Sequence, residues 1–365
     1  MQTTNGDEQL EVTRHRIDQI DVQLQALIEE RAQCAHRIGM LKGAAGDTHF
    51  YRPEREAQVL RSVFNRVAPG STLTGEAMTR IFREIMSACL AVEQQLHVAF
   101  LGPEGTFSQE AARKHFGQGV AALPQSSVAD VFQEVETGRC QYGVVPVENS
   151  TEGSVTFTLD MFISSHVKIC GEVELRIRLY ILGKGRDLSA IKRVYGHQQA
   201  LAQCRGWLEK NLRGIEQIAV SSNGEAAQRA ALEKDAAAVA GESAAEVYKL
   251  NCLAADVEDS ASNTTRFLVI GHHYPGPSGK DKTSLLLTTG NQPGALYRML
   301  APFANNGISM TRIQSRPSRR GNWDYVFFID IEGHAADPVV ARAINELGQV
   351  AAMVKILGAY PCTSV

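Results

Sequence analysis

The chain has 365 residues, too many for one ordinary domain and enough for two or three. Hydrophobic residues make up 44% of the sequence and charged residues 21%, as in soluble globular proteins. A formal net charge of -3 argues against a nucleic-acid-binding protein that works by bulk electrostatics.

The sequence also bears on location and cofactors. It starts with the polar, acidic stretch MQTTNGDEQL, and no apolar run approaches the roughly 20 residues of a membrane span. We therefore expect neither a secretory signal nor a membrane protein. The seven cysteines are scattered without a CxxC pair, which favours free thiols in a reducing cytoplasm. No cysteine or histidine spacing suits zinc, and we expect no metal or other cofactor.

The pattern of residues 1–96 predicts an all-helical domain. From Leu10 onward, apolar residues recur at near-heptad spacing without an internal proline, which predicts a helix of about 34 residues, on the order of 50 Å long. A helix of this length suggests a coiled-coil-like partner. Pro53 then opens a second helix, and Thr74 caps a third that runs to about Gln95.

At His97 the pattern changes to short apolar strands that alternate with helical stretches. This alternation predicts an α/β domain with parallel sheets over residues 97–271, enough for two small lobes. A Gly/Pro/Lys-rich linker follows. The remaining segments have the order β-α-β-β-α-β, which predicts a ferredoxin-like unit within residues 272–365.

Three cations lie on or beside the apolar stripe of the long helix. Heptad steps put Arg31 where Ile or Leu belongs. One such cation is explained by a long side chain that snorkels from the edge of the stripe, but three, with Arg55 and Glu56 in the next helix, favour an anion site. Arg31 and Lys42 share a face about 16 Å apart, whereas Arg14 lies about 25 Å before Arg31. Arg14 can reach the same small ligand only from a second, antiparallel copy, so we expect a homodimer with shared sites.

This Arg–Arg–Lys spacing and the segment RPEREAQVL resemble the all-helical chorismate mutase family. The resemblance implies that Arg14 of the partner subunit, Arg31, Lys42 and Arg55 hold the two carboxylates and the breaking ether oxygen of chorismate. It implies that Glu56 holds the ring hydroxyl. The rearrangement to prephenate needs a compressed conformer and positive charge beside the developing oxyanion.

Two positions depart from that family. Arg52 stands where some members have an acidic residue, and Glu93 stands where some have Gln. A Glu can donate to the ether oxygen only when it is protonated. We therefore hypothesise that the pKa of Glu93 is raised, or that mutase activity falls at high pH.

Four polar loops of the α/β region suggest a ligand-binding cleft. In α/β sheets, ligands bind beyond the carboxyl ends of strands, and we expect all four loops there. They are GPEGTFS, which contains Thr106, VENSTEGS, which contains Asn149, GHQQALAQC, which contains Gln203, and NTTRF, which contains Thr265. Each loop alone is explained by turn or cap chemistry, but four at equivalent places favour a cleft.

These motifs, TRF above all, resemble prephenate dehydratase. The resemblance implies that Thr265 is the catalytic threonine, that Asn149 and Gln203 are polar site residues, and that Thr106 lies in the substrate loop. Because a threonine hydroxyl is a weak acid, Thr265 must either relay a proton or hydrogen-bond the leaving hydroxide. Arg266 either binds a substrate carboxylate or makes a structural ion pair. Where family members often have Ser-His-Pro, this chain has Gly-His-Gln at 196–198, so any role of that serine is lost or moved.

The segments NQPGALYRML and IQSRPSRRGNW resemble the two signature segments of the ACT domain, which bind L-phenylalanine at a domain interface. The alternative for the first segment is an ordinary helix start in a ferredoxin-like unit. Gln314 replaces the family's Glu and Ser309 its Asn, which leaves the strength of phenylalanine control open. The resemblance implies an allosteric site made by Asn291, Gly294, Ala295, Leu296, Ser315 and Arg316.

Together the three resemblances imply a multidomain enzyme of phenylalanine synthesis. An all-α mutase domain precedes a two-lobed α/β dehydratase domain, similar to periplasmic binding proteins, and an α+β ferredoxin-like ACT domain. Such a cytoplasmic enzyme takes chorismate and prephenate as substrates and L-phenylalanine as inhibitor, without nucleic-acid or membrane partners. One alternative is an amino-acid sensor with a helical dimerisation arm. The other is a protein with dehydratase activity alone, in which the mutase domain has lost its activity or the substrate is arogenate. The cation at Arg31 and the polar start of NTTRF argue against a sensor.

Overall fold

The computed structural model describes residues 3–46, 51–290, 292–317 and 325–362. The helical region has α1 (Thr3–Ala44), α2 (Pro53–Arg66) and α3 (Gly75–Glu93). Pro53 lies in the first turn of α2, and the Thr74 hydroxyl accepts a hydrogen bond from the Ala77 amide at 3.2 Å. The predicted helix starts are therefore confirmed, and α1 is longer at its amino end than predicted.

Most of α1 extends away from the rest of the chain. Its carboxyl-terminal part packs on α3, and Ala35 is buried there. The apolar side chains of its stripe are otherwise 39% to 71% exposed, and they include Leu10, Ile17, Ile20, Leu24, Leu27, Ile28, Ile38 and Leu41. This chain alone leaves uncovered a surface of the kind that helices bury against partners.

Residues 97–271 form two lobes, each with one sheet. Lobe one contains β1 (His97–Leu101), β2 (Ala121–Gln125), β3 (Tyr142–Asn149), β4 (Gly153–Ser154), β5 (Lys168–Arg176) and β11 (Thr264–Gly271), with α4 (Phe107–Phe116), α5 (Val128–Glu136) and α6 (Thr156–Ser164). Lobe two contains β6 (Tyr180–Gly183), β7 (Arg193–His197), β8 (Glu216–Val220), β9 (Ala236–Ala240) and β10 (Asn251–Ala254), with α7 (Gln198–Gln203), α8 (Arg205–Asn211), α9 (Asn223–Ala230) and α10 (Glu242–Tyr248). The chain crosses to lobe two after β5 and returns at β11. The expected two-lobed arrangement is confirmed.

The expectation of parallel sheets is wrong in part. In lobe one the strand order is β2-β1-β3-β11-β5, and β11 runs antiparallel to both of its neighbours. In lobe two the order is β10-β6-β9-β7-β8, and β6 runs antiparallel to β9 and β10. Apolar periodicity predicts a strand but not its direction, and the double crossing between lobes reverses β11. As a result, the amino end of β11 lies beside the carboxyl end of β3.

The last region has β12 (Asp281–Thr289), α11 (Ala295–Asn305), β13 (Met310–Pro317), β14 (Tyr325–Glu332), α12 (Pro338–Val350) and β15 (Met353–Pro361). Its antiparallel sheet has the order β13-β14-β12-β15, so the predicted β-α-β-β-α-β unit is confirmed. Alternate residues of β12 face opposite sides. Leu285 and Leu287 pack with α11 and α12, while Leu286 joins the buried cluster of lobe one.

The predicted linker is held in place by side chains of the helical region and of the last region. The carbonyl of Ser278 accepts a hydrogen bond from Arg61 of α2 at 3.0 Å, and the carbonyl of Pro275 lies 3.0 Å from His334 Nε2. Asp281 accepts the Ser278 amide at 2.8 Å. Within the described residues, no cluster of ligating side chains suits a metal ion, and no helix has the length and apolarity to cross a membrane.

Candidate active sites

The reversed strand β11 brings two of the sequence-predicted site residues into contact. Thr265 pairs with Asn149 across the β3–β11 ladder, and their side chains meet at 2.9 Å. Thr265 is 9% exposed and Asn149 is 8% exposed, so both lie beneath the surface. The loops NTTRF and VENSTEGS thus form one site, although NTTRF lies at the amino end of its strand.

The hydrogen bonds fix the direction of the Asn149 amide. Its Oδ1 accepts the backbone amides of Thr151 at 2.9 Å and Glu152 at 3.2 Å. Because two backbone donors define the oxygen, the nitrogen must be the atom that faces Thr265. The Thr265 hydroxyl therefore accepts from Asn149, and its own hydrogen is available to donate elsewhere.

Lobe two contributes Gln203 from the carboxyl end of α7. Gln203 Oε1 accepts from Asn263 Nδ2 at 2.9 Å, and Asn263 Oδ1 accepts from Asn149 Nδ2 at 2.9 Å. The buried Gln203 Nε2 has no hydrogen-bond partner within the described part of the chain. The structure thus joins Thr265, Asn149 and Gln203 through Asn263. The sequence did contain a signal for Asn263, since it lies two residues before Thr265 and period two places both on one face of an extended chain.

Thr106 holds the loop that follows β1. Its hydroxyl lies 3.1 Å from the Leu101 carbonyl and 3.0 Å from the Pro103 carbonyl, so its hydrogen is used within its own loop. The same loop meets lobe two, where Tyr248 donates to the Glu104 carbonyl at 3.0 Å. The hydroxyl oxygen of Thr106 retains acceptor capacity, but its hydrogen is not available to a substrate anion.

Arg266 makes the structural ion pair that the sequence left open. Its guanidinium lies 2.8 Å from Glu172 of β5 and 2.7 Å from Asp330 of β14, and it donates to the Tyr360 hydroxyl at 3.1 Å. Neighbours on a strand face opposite sides, so Arg266 faces the sheet β13-β14-β12-β15, here called the ACT-like sheet, while Thr265 faces the cleft. The expectation that Arg266 binds a substrate carboxylate is therefore corrected.

The mutase candidates meet where α1 packs on α3. Lys42 Nζ lies 3.6 Å from Glu93 Oε2, and Arg31 is close enough to affect the same carboxyl group. Burial raises the pKa of Glu93, although Lys42 and Arg31 lower it. The direction of the shift agrees with the hypothesis for Glu93. Arg14 is exposed on the free part of α1, and Arg55 is exposed on α2.

Glu56 lies apart from that group in this chain. It contacts Tyr51 and Arg83, in a pocket between α2, α3 and lobe one that His115 also lines. Arg83 precedes Glu93 by ten residues of α3, about 15 Å along the axis. Burial raises the pKa of Glu56 to about 7, against the opposing charge of Arg83. The contacts therefore do not place Glu56 beside Lys42, contrary to the expectation of a shared site.

The ACT signature residues divide between an exposed surface and an interface. Gly294 has a φ of 74°, which favours glycine, at the start of α11, and Leu296 is 41% exposed. Ala295 is half-buried beside them, and Ser315 is exposed on the edge strand β13. Arg316, next to Ser315, instead pairs with Asp160 of α6 at 3.0 Å. Asn291 lies outside the described residues.

Comparisons with known proteins place the same three regions in the same order. The family models of chorismate mutase type II, prephenate dehydratase and the ACT domain match residues 13–94, 98–275 and 283–349. The bifunctional chorismate mutase/prephenate dehydratase of Stutzerimonas stutzeri is 50% identical over 97% of this chain and 98% of its own. The chain belongs to this bifunctional family. The Escherichia coli K12 member is more distant, at 31% identity over 96% of each chain.

Solved structures similar to this member of the bifunctional family cover its last two regions. The prephenate dehydratase of Arthrobacter aurescens in complex with L-Phe has a TM-score of 0.67 and 34% identity, and covers 73% of this chain and 90% of its own. The quorum quenching acylase GqqA has a TM-score of 0.68 and 33% identity, and covers 73% of this chain and 98% of its own. About three quarters of this chain thus shares its fold with both.

Proposed function

We propose that this chain is a cytoplasmic bifunctional enzyme that rearranges chorismate to prephenate and converts prephenate to phenylpyruvate under inhibition by L-phenylalanine. The observation that carries the dehydratase assignment is the Thr265 hydroxyl, held between two lobes with its acceptor side occupied by Asn149. Membership of the bifunctional family supports the pairing of the two reactions.

The dehydratase step releases carbon dioxide and the ring hydroxyl as the ring becomes aromatic. Electrons of the breaking bond to the carboxylate enter the ring, and the carbon–oxygen bond breaks with its electron pair on the leaving hydroxide. Thr265 is able to hydrogen-bond that oxygen as it gains charge, which lowers the barrier most in a site shielded from water. The free amide nitrogen of Gln203 is suited to an anionic oxygen of the same substrate.

The mutase step needs cations beside the carboxylates and the ether oxygen of chorismate. Arg31 and Lys42 supply two of them beside Glu93. The family resemblance implies a third from Arg55, which is exposed on α2. A protonated Glu93 donates to the ether oxygen, which its raised pKa favours. Glu56 keeps the role implied by the family only if its side chain turns from Arg83 toward the ligand.

We further propose that two copies pair through α1, with Arg14 of each copy entering the other's mutase site. The exposed apolar stripe of α1 supports this pairing, since a soluble protein rarely leaves such a surface uncovered. The position of Arg14, about 25 Å from Arg31 along the helix, supports donation in trans.

Strand β13 connects the proposed L-phenylalanine site with the dehydratase site. On one face of β13, Ser315 of the second signature segment is exposed. On the other face, Arg312 pairs with Glu148 at 2.9 Å, and Gln314 accepts from Ser154 of β4. Glu148 adjoins Asn149, so a shift of β13 on ligand binding reaches the dehydratase site.

One experiment tests both activities. The purified chain is incubated with chorismate, and prephenate and phenylpyruvate are followed over time, with and without L-phenylalanine. We expect prephenate first, then phenylpyruvate, and a slower second step with the amino acid present. Failure to convert either acid overturns the proposal and favours the sensor. Conversion of prephenate alone favours a dehydratase with a decayed mutase, and faster turnover of arogenate than of prephenate changes the substrate.

The contacts of Thr265 do not support acylase activity in this chain, despite the similarity to GqqA. Acyl transfer by Thr265 needs a neighbouring base that removes the hydroxyl proton. The group that contacts its hydroxyl is instead the amide nitrogen of Asn149, which donates and does not take up a proton. The geometry therefore favours the dehydratase.

A further inference from the structure

A chain of three side-chain amides connects the two lobes at the dehydratase cleft. It runs from Asn149 in lobe one through Asn263 to Gln203 in lobe two, with Thr265 hydrogen-bonded to its first member. Asn263 is 3% exposed, and its backbone carbonyl accepts the Ile177 amide at 2.9 Å. Its backbone therefore joins the two segments where the chain crosses between the lobes.

Each amide in this chain has a single allowed direction. The two backbone donors of the β3–β4 turn define Asn149 Oδ1, so Asn149 Nδ2 donates to Asn263 Oδ1. The nitrogen of Asn263 must then face Gln203, whose oxygen accepts from it. The nitrogen of Gln203 is consequently left buried, without a hydrogen-bond partner in the described chain.

A buried donor without a partner is unfavourable unless a ligand satisfies it. An anionic oxygen does so best, because hydrogen bonds to charged groups are the strong ones. Prephenate carries two carboxylates, so the orphaned nitrogen fits the substrate of the proposed dehydratase reaction.

We propose that Asn263 is a positioning residue that sets the polarity of the dehydratase site. It turns the Gln203 amide so that its nitrogen faces a carboxylate of prephenate, and it takes one of the two Asn149 hydrogens so that the other is fixed on Thr265. The inference rests on the proposed dehydratase function.

The substitution Asn263→Asp tests this polarity without a change of shape. The introduced carboxylate still accepts from Asn149, but its second oxygen now requires a donor. The Gln203 amide turns over to supply one, and its oxygen then faces the substrate carboxylate. We expect the KM for prephenate to rise roughly 10- to 100-fold at pH 8 with a smaller change in kcat.

Lowering the pH should reverse the effect. Once the introduced carboxyl group is protonated, it donates to the Gln203 oxygen, and the original polarity returns. We expect the KM of Asn263→Asp to fall toward the wild-type value between pH 8 and pH 5, with the pH dependence of the wild-type enzyme as reference. A residue that only supports the fold gives no such recovery.

Controls separate this inference from misfolding and from failure of the proposed function. Asn211→Asp makes the same charge change on exposed α8 and should leave KM unchanged. Mutase activity and the melting temperature report whether Asn263→Asp folds. If it does not fold, Gln203→Glu places a carboxylate oxygen where the amide nitrogen stands and should raise KM by at least as much.

An unchanged KM in Asn263→Asp, or a raised KM that is the same at every pH, overturns the inference, and so does an unchanged KM in Gln203→Glu. If wild-type protein converts prephenate and Thr265→Ala does not, the proposed function stands whichever way these variants behave. If wild-type protein does not convert prephenate, the proposed function itself fails.

Discussion

We expect the hydroxyl of Thr265 to act as a donor, since Asn149 already donates to its oxygen and its own hydrogen remains available. We expect Thr265→Ala to lower the dehydratase kcat by roughly 100- to 1,000-fold, the range found when one preorganised donor is removed from a charged transition state. Thr265→Ser should retain much of the activity. The measurement is the rate of phenylpyruvate formation from prephenate, with mutase activity of the same sample as the control. Loss of both activities together would point to misfolding instead.

The pKa of Glu93 makes a second prediction at the scale of one residue. Burial raises this pKa, so the protonated donor form persists above the ordinary carboxyl range and is lost as the pH rises through the shifted value. We expect mutase kcat/KM to fall on the alkaline side, and Glu93→Gln to flatten the profile because an amide donates at any pH. The check is a pH series of chorismate consumption for both proteins. Identical profiles would show that Glu93 does not titrate during catalysis.

At the scale of the element, β11 has two functions on its two faces. Thr265 faces the cleft, while Arg266 joins Glu172 and Asp330 between lobe one and the ACT-like sheet. Burial alone would raise the pKa of Asp330, but Arg266 holds it below its ordinary value. This ion pair therefore contributes stability that is present above the unfolded pKa of Asp330 and is lost as the pH falls through the folded value.

The predicted consequence is a loss of stability without a loss of substrate affinity. Arg266→Met leaves one buried carboxylate, Asp330, without its cation, and we expect a destabilisation of about 3–5 kcal/mol. The KM for prephenate of the folded fraction should not change. Melting temperature and dehydratase kinetics below the transition measure the two quantities. A raised KM at unchanged stability would restore the carboxylate-binding role.

Strand β11 also shows what the sequence can and cannot predict. The alternation of apolar strands and helices predicted the regions, and the motif predicted Thr265, Asn149 and Gln203. Strand direction and the partner of Arg266 depend on contacts between residues far apart in sequence, which periodicity does not record. The position of Asn263 could be predicted from its spacing to Thr265, but its proposed role could not, since the direction of its amide is set through Asn149 by backbone groups of the distant β3–β4 turn.

At the scale of the whole molecule, two mutase observations point beyond one chain. Arg14 is exposed far from Arg31 and Lys42, and the apolar stripe of α1 is uncovered. The position of Glu56 could not be predicted from the mutase motif. Glu56 contacts Arg83 and lines a pocket between the helical region and lobe one, and a motif within one helix does not record contacts between domains. Mutase sites shared between subunits would explain why the described part of one chain does not bring all the predicted mutase residues together.

Mixed dimers test that arrangement. If Arg14 acts in trans, Arg14→Ala and Lys42→Ala each inactivate both mutase sites of their own homodimers. In a mixed dimer, one site receives Arg14 from the Lys42→Ala copy and Lys42 from the Arg14→Ala copy, and is intact. Random pairing by co-refolding should therefore restore roughly a quarter of wild-type mutase activity, given two equivalent sites per twofold dimer.

The matched control is a mixture of Arg31→Ala with Lys42→Ala. Because both residues come from the same copy in every site, no combination restores an intact set, and we expect no recovery. Dehydratase activity should stay constant across all mixtures. Recovery in neither mixture would mean that Arg14 and Lys42 come from the same copy, and full activity of Arg14→Ala alone would place Arg14 outside the site. Equal recovery in both mixtures would mean that Arg31 and Lys42 belong to different copies.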